Sequence, residues 1–511
     1  MRARASLFTL LMAGTVAFAA SENDARLVAA AKAGSTRLAI ELLDMKASPN
    51  AAEPDGTTAL QWAARANDVD LAAKLIAAGA NVSAVNRYGI TALFLASENG
   101  SPEMLELLLK SRADANATVN LKETALMTAA RTGNVDAAKV LLNHGAKVDV
   151  LEDWHSQTAL MWAVSEGHPA MVRELIAHGA NVNLRSNLDK WERQNTYEPR
   201  EKWLPLGGLS PLLFAARDGC LGCAQALVEA EANIQVQDPH GVSAPVMAII
   251  NGHFDVAAYL LDKGANPNLA DDTGRTALFS AVDFNTVPQS NRPAPPSIIE
   301  NEVSALKLIA KLLEKGANVN AQLLKQQPYR VKLDRGDDTM LTTGATPLLR
   351  AAKAADIPAM KLLLAAKADV NLATRAGITP LLAAAGSGSK EEDTTGRFKT
   401  EEEAIQAIEL LIAAGAGINH ATGAGQTALH ASAQWGWEKV VQYLVDRGAN
   451  LNAQDARGFT PLDAAMGLAG GSGGFDGSRR DVHASTVALL QKLGATRGKQ
   501  VTAAPPPVDE N

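Results

Sequence analysis

The sequence repeats itself with a period of 33 residues, and this constrains the fold more than any other property. The pattern is clearest from Thr427 to Phe459, TALHASAQWGWEKVVQYLVDRGANLNAQDARGF. Thr427 stands where a helix N-cap belongs, since a hydroxyl there accepts from an otherwise orphan backbone N–H. A short helix over 428–434 follows, with Ala428, Ala431 and Ala433 small enough for a neighbouring helix to approach closely. Gly436 falls in a turn. A second helix over 438–447 carries Val440, Val441 and Leu444 on one face. Gly448 comes just past it, where a left-handed residue is needed and Gly adopts it without steric cost. Asn450, Asn452, Asp455 and Gly458 suit the turns that close the unit, because Asn and Asp side chains satisfy local backbone groups.

The Thr/Ser-x-Leu start recurs at Thr58, Thr91, Thr124, Thr158, Ser210, Thr276, Thr346, Thr379, Thr427 and Thr460, and the variant Ser243-Ala244-Pro245 keeps the register. Successive steps are 33, 33, 34, 52, 33, 33, 70, 33, 48 and 33 residues. A Gly-Ala-Asn run follows in phase at Gly79, Gly179, Gly264, Gly316 and Gly448. Leu27, 33 residues before Leu60, and the segment 37–43 add a first copy without the Thr, as suits a terminal cap. The T-A-L-H start, the G-A-N-L-N run and the D-x-x-G turn resemble the ankyrin repeat. The resemblance implies an all-α solenoid of about twelve helix-turn-helix units with hairpin-like loops. It also implies binding of other proteins in place of chemistry. In such a solenoid each unit packs on its neighbours, so the 511 residues need not divide into several globular domains.

The long steps mark insertions near 186–208, 284–302, 323–344, 386–403 and 467–481, within a solenoid expected over 20–496 and followed by a disordered tail at 497–511. Two of them, 186–208 and 323–344, fall in inter-repeat loops, where the family builds fingers beside a concave face. The first holds Trp191, Tyr197 and Trp203, three of the chain's 12 Trp and Tyr residues. The second brings Tyr329, Arg330 and Arg335. Trp, Tyr and Arg dominate binding energies, so these six either anchor a partner or fold back as caps on the solenoid. At 8–10 Å between packed helices, the two fingers bound about 30 Å of concave face. Tyr88 and Trp154, in other inter-repeat loops, extend that surface if they are exposed.

A net charge of −7 and a pI near 5.8 argue against a nucleic-acid or anionic-membrane surface, which needs a basic excess. Arg2 and Arg4, the apolar run 7–19 and Ala17-Phe18-Ala19 read as a secretory signal over 1–19, cut after Ala19. No later stretch has the roughly 20 apolar residues a membrane span needs. A periplasmic or secreted protein is therefore expected. Cys220 and Cys223 are the only cysteines. Ala224 stands where a c-type haem motif needs His, and a metal would need two further ligands. In an exported chain the pair reads as a local disulfide, with a reduced or redox-active pair as the alternatives.

The nine histidines show no H-E-x-x-H, and neither G-x-S-x-G nor a P-loop occurs. His144 and His178 end second helices near free carbonyls. His430 occupies a position held elsewhere by Gln61, Phe94, Met127 and Met161, so it is not catalytic, and the resemblance implies that it bonds neighbouring loops. No catalytic, cofactor or metal site is expected. The reading is a scaffold for an unidentified protein partner. The alternatives are a redox protein using the cysteine pair and a self-associating structural protein of the envelope.

Overall fold

A computed structural model of the chain describes residues 22–188, 207–286, 301–325, 343–387, 399–468 and 482–498. Among them are twenty-four α-helices in twelve helix-turn-helix pairs. The described residues contain no extended strand, only isolated bridges such as Ala52 with Thr58 and Ala421 with Thr427 at the base of a loop. The chain divides into two compact bodies, described residues up to Val236 and those from Gln237 onward. The first body pairs 22–32 with Thr36–Asp44, Ala59–Arg65 with Val69–Ala77, Ala92–Asn99 with Pro102–Lys110, Ala125–Thr132 with Val135–Asn143, Ala159–Ser165 with Pro169–Ala177, and Pro211–Asp218 with Leu221–Glu229. The second pairs Ala244–Ile250 with Phe254–Asp262, Ala277–Asn285 with Ala305–Glu314, Pro347–Lys353 with Ile357–Ala365, Pro380–Ala384 with Glu401–Ala413, Ala428–Gln434 with Glu438–Asp446, and Pro461–Ala465 with Ala484–Lys492.

The recurring Thr begins each first helix for the reason its position suggests. Thr58, Thr91 and Thr346 accept from the N–H of Gln61, Phe94 and Leu349 at 3.3, 3.1 and 3.1 Å. Such a cap contributes about 1 kcal/mol. The Leu two residues on (Leu60, Leu93, Leu160, Leu278, Leu429) is buried in every case, as are most alanines of the same helices. Full burial of one such Leu stabilises by about 1.5–3 kcal/mol. Small Ala side chains let successive first helices lie close, and Leu from the second helices (Leu71, Leu75, Leu108, Leu141, Leu175) fills the layer behind.

Turn geometry depends on contact with the next repeat. Gly100 has φ +63° and lies against Asn134 of the following turn, where a Cβ would come within 1.5 Å of the amide. After the second helix, Gly is the rule, but Lys46 (φ 66°), Arg112 (φ 71°), Glu231 (φ 61°) and Lys367 (φ 64°) are held left-handed in its place.

The Asn that closes the five-residue turn after the second helix, whether in a G-A-N-x-N run or in its variants at 46–50, 112–116 and 415–419, bridges repeats. Asn419 accepts from the Asn450 N–H at 2.7 Å and donates to the Gly448 carbonyl at 3.1 Å. Asn50 does the same toward Asn81 and Gly79, Asn116 toward Lys147 and Gly145, and Asn268 toward Asn318 and Gly316. Asn452 continues the ladder onto Thr496.

At Thr427 the capping differs from the simple hydroxyl cap. Its N–H and Oγ1 both meet Nδ1 of His430, at 3.1 and 2.9 Å, and Nε2 of His430 donates to the Phe459 carbonyl at 3.1 Å. Gln61 makes the same two links in the first body, to the Thr58 N–H and the Ile90 carbonyl. Burial holds the His430 imidazole below its ordinary pKa, against the opposing effects of the Phe459 carbonyl, Asp455 and Asp463.

Two boundaries move from their sequence positions. The helix beginning at Ala277 runs into the insertion placed at 284–302, ending at Asn285, because Phe284 packs edge-on against Phe254 with centroids 5.2 Å apart. The insertion placed at 386–403 ends earlier, since Glu401–Glu403 form the first turn of a helix capped by Thr400. Three carboxylates there meet the positive end of the helix dipole. Past the last repeat, Arg497 and Gly498 bond to Asp463 at 3.1 and 2.8 Å. Residues 499–511 lie outside the described set.

His430 ionises less readily in the fold than in the unfolded chain. Its contribution is therefore present above the unfolded value of about 6.5 and is lost as pH falls through that value toward the lower folded one. Amide exchange in the Thr427 and Thr460 repeats should accelerate below about pH 6.5, and His430→Gln should remove that acceleration. Glu231→Gly and Lys367→Gly should each stabilise by about 0.5–1 kcal/mol in denaturant melts, the relief of left-handed strain exceeding the added chain entropy.

Candidate partner-binding surface

Of the residues expected to anchor a partner, Trp191, Tyr197, Trp203, Tyr329, Arg330 and Arg335 lie outside the described residues. Tyr88 and Trp154 are described, and both are exposed, Trp154 by 67%. They belong to a row of exposed side chains at the loop tips of the first body: Val85, Tyr88, Leu121, Leu151, Trp154 and Leu188. The tips are tied edge to edge. Arg87 donates its N–H to the Asp55 carbonyl at 2.8 Å, Asp153 to Leu121 at 2.7 Å, and Asn187 to His155 at 2.6 Å. Lys122 also pairs with Asp153 across the same gap, at 2.6 Å.

Each tip is shaped from beneath by one acceptor side chain. Asn86 Oδ1 accepts from the N–H of Tyr88 and Ile90, both at 3.0 Å. Under Trp154 the buried Glu152 takes that role, accepting from Trp154, His155 and Gln157. The Thr57 N–H holds the Asp55 carboxyl below its ordinary pKa. The rings are themselves supported, Trp154 by His155 at 4.3 Å and Tyr88 by the Arg87 guanidinium at 4.8 Å.

Beside the tips runs a second line of side chains, on the first helices. Counting from the cap, the fourth and seventh residues on share one helix face. In successive repeats they are Trp62 and Arg65, Leu95 and Glu98, Thr128 and Arg131, Trp162 and Ser165, Phe214 and Arg217. Trp62 lies between Lys32 and Arg65, 4.8 and 5.6 Å from its ring, and donates Nε1–H to Glu53 at 3.2 Å. Arg131 reaches forward over Trp162 at 5.9 Å, and Arg217 over Phe214 at 4.7 Å. Glu53 and Trp62 thus join this helix face to the loop row. Reading by motif alone passes over these residues, although their recurrence three apart at a fixed distance from the cap was a signal available in the sequence.

The comparisons with known proteins bear on this arrangement. The model described as "Ankyrin repeats (3 copies)" matches residues 27–119, 112–186, 206–290 and 400–471, and the single "Ankyrin repeat" model matches 343–375. The chain belongs to the ankyrin repeat family. Similar proteins include the ankyrin repeat and SAM domain-containing protein 6 of Rattus norvegicus, 37% identical over 79 residues, which are 15% of this chain and 9% of that one. A putative ankyrin repeat protein of Acanthamoeba polyphaga mimivirus is 35% identical over 65 residues, 13% of this chain and 40% of its own. One from Rickettsia felis is 27% identical over 124 residues, 20% of this chain and 40% of its own. The chain thus spans well under half of each relative. Among solved structures, the human ASB11 ankyrin repeat domain matches 47% of this chain and 98% of its own at 24% identity, with a TM-score of 0.40.

Ankyrin repeats are generally scaffolds for protein–protein interaction, and several histidines of this chain make contacts within and between repeats. His178 Nδ1 meets the Glu174 carbonyl at 3.0 Å, His144 meets Glu106 at 3.1 Å, and His168 and His483 reach carbonyls of the preceding repeat. Among the described residues no group of His, Cys, Asp and Glu is arranged to hold a metal ion, and no helix is long and apolar enough to cross a membrane. Cys220 and Cys223 form a disulfide at the start of the helix Leu221–Glu229, with the Cys223 N–H donating to Cys220 Sγ. Its closed loop is short, so the chain-entropy gain is about 2 kcal/mol. Replacing both cysteines with Ser should lower stability by about that amount and leave helicity unchanged. Intact mass should show the native protein lighter than its fully reduced form by two hydrogens.

Proposed function

We propose that this protein is a scaffold that holds a protein partner along the loop tips and first-helix face of its first body. The observation that carries the reading is the row of loop-tip side chains. Six apolar residues, Tyr88 and Trp154 among them, are exposed on adjoining loops that hydrogen bonds hold rigid. Singly exposed apolar residues are ordinary, but a contiguous patch marks an interaction site. Trp and Tyr supply large contact areas at low entropic cost. Pre-set loops further reduce the cost of ordering on binding.

The disulfide supports a place in an oxidising compartment, periplasmic or extracellular, in keeping with the signal-like segment 1–19.

The test uses capture from the native source, followed by affinity measurement with the purified captured protein. Tyr88→Ala with Trp154→Ala should weaken that affinity at least about tenfold, because central aromatic anchors typically account for 2 kcal/mol or more each. Both residues are exposed, so the double variant should melt like the parent. An affinity unchanged by the double substitution refutes this placement of the site.

A further inference from the structure

Resting on the scaffold reading, the first-helix face of the first body says what kind of segment it takes. Its charges are not equivalent. At the near end, Lys32 is paired with Glu53 at 2.7 Å. At the far end, Arg217 is paired with Asp218 at 2.7 Å, and Asp218 also accepts from Ser165 at 3.0 Å. Between these closed ends stand Arg65, Glu98 and Arg131, one per repeat on three consecutive helices. All three are exposed, and none has a charged partner among the described residues. The two cations rest on aromatic faces, Arg65 on Trp62 and Arg131 on Trp162. Stacking of this kind holds a planar guanidinium in place with its N–H fork free for a carboxylate. Half-buried Trp62, Leu95 and Trp162 form the floor beneath them.

We infer that this face binds an extended polyproline-type segment of another protein that carries acidic, basic and acidic side chains at positions i, i+3 and i+6. The spacing argument is geometric. Packed helices lie about 8–10 Å apart, so the three helix positions that carry the charges recur at that interval. A polyproline helix has three residues per turn and rises about 3.1 Å per residue, so every third side chain returns to the same face after about 9 Å. A β-strand cannot match this register, because residues three apart point to opposite sides. An α-helix advances only about 1.5 Å per residue and would need six or seven residues between contacts. Aromatic floors suit polyproline segments, whose conformation is set before binding. The sign order sets the direction of discrimination: carboxylates opposite Arg65 and Arg131, and a cation opposite Glu98. The reverse order would place like charges at all three positions.

Fluorescence anisotropy on the full-length protein tests this with three labelled peptides. Their cores are Asp-Pro-Pro-Lys-Pro-Pro-Asp, the reversed Lys-Pro-Pro-Asp-Pro-Pro-Lys, and a neutral core with Ala at the three charged places. The first should bind about tenfold or more tighter than the reversed peptide, with the gap narrowing at about 0.5 M salt as the charges are screened. The triple variant Arg65→Glu, Glu98→Lys, Arg131→Glu should invert the preference while keeping the parent's melting curve. Equal binding of the three peptides would overturn the charge order. If that binding were lost in Trp62→Ala with Trp162→Ala, the face would still be a binding groove and the scaffold reading would stand. Failure of every peptide to bind would overturn the inference outright. The scaffold reading would then rest on the separate Tyr88 and Trp154 measurement, which uses other residues and another ligand.

Discussion

Each repeat leaves polar groups that only the next repeat satisfies, and the structure depends on that exchange. Asn419 illustrates it. Its carboxamide oxygen takes the Asn450 N–H and its NH2 group gives to the Gly448 carbonyl, so one side chain closes two backbone groups of its neighbour. The carbonyl before each cap is handled the same way by Gln61 and His430, which reach Ile90 and Phe459 of the following loop. An unpaired buried backbone group costs about 1–3 kcal/mol. A single unit of some thirty residues would carry several such groups, along with an uncovered apolar face. Stacking resolves both together, which explains why the repeat folds in an array and why the loop tips arrive at fixed positions.

That fixed placement connects packing to binding. The caps and buried leucines set where each helix starts, the Asn bridges set the distance to the next repeat, and the backbone bonds at the tips hold adjacent loops in register. Side chains at the tips are then free of structural duty. Tyr88 and Trp154 are exposed because the Asn86 and Glu152 beneath them already satisfy the loop. The second body shows another use of the same positions. There Arg350 takes the place of Trp62 and is fully buried against Asp283 of the preceding repeat at 2.7 Å. Breaking such a buried pair by removing one partner costs about 3–5 kcal/mol. The two residues are 67 positions apart, across the longest step in the repeat pattern. That helix face is therefore committed to holding repeats together, where the equivalent face in the first body presents side chains outward.

Much of this was legible in advance. The twelve helix pairs, the capping threonines and the turn glycines all follow from spacing, because each depends on residues within one or two turns of chain. The bridging Asn was misread in part. Asn450 does serve its own turn, accepting from the Asn452 N–H, but Asn419 and Asn452, two places further along the turn, act across repeats, which only the stacked neighbour reveals. The Ala277–Asn285 helix outran its expected end for a similar reason: Phe284 gains a partner in Phe254 that only stacking supplies. For the binding surface, the concentration of aromatic residues drew attention to the insertions. The line through Trp62, Arg65, Glu98, Arg131 and Trp162 is spread over a hundred residues and becomes a surface only when the helices are side by side.

The amino-acid sequence by itself determined the unit, its number and its family. Helix caps, left-handed turns and apolar periodicity are short-range properties, each decided by neighbours along the chain. Tertiary structure decided which of the chemically identical side chains do structural work and which face a partner. The Asn452 side chain reaches the next repeat while that of Asn450 serves its own turn, and Trp62 and Arg350 hold the same place in the repeat but differ in what the adjacent repeat presents to them. That difference is set by contacts more than 30 residues away, and so by the packing of one repeat on the next.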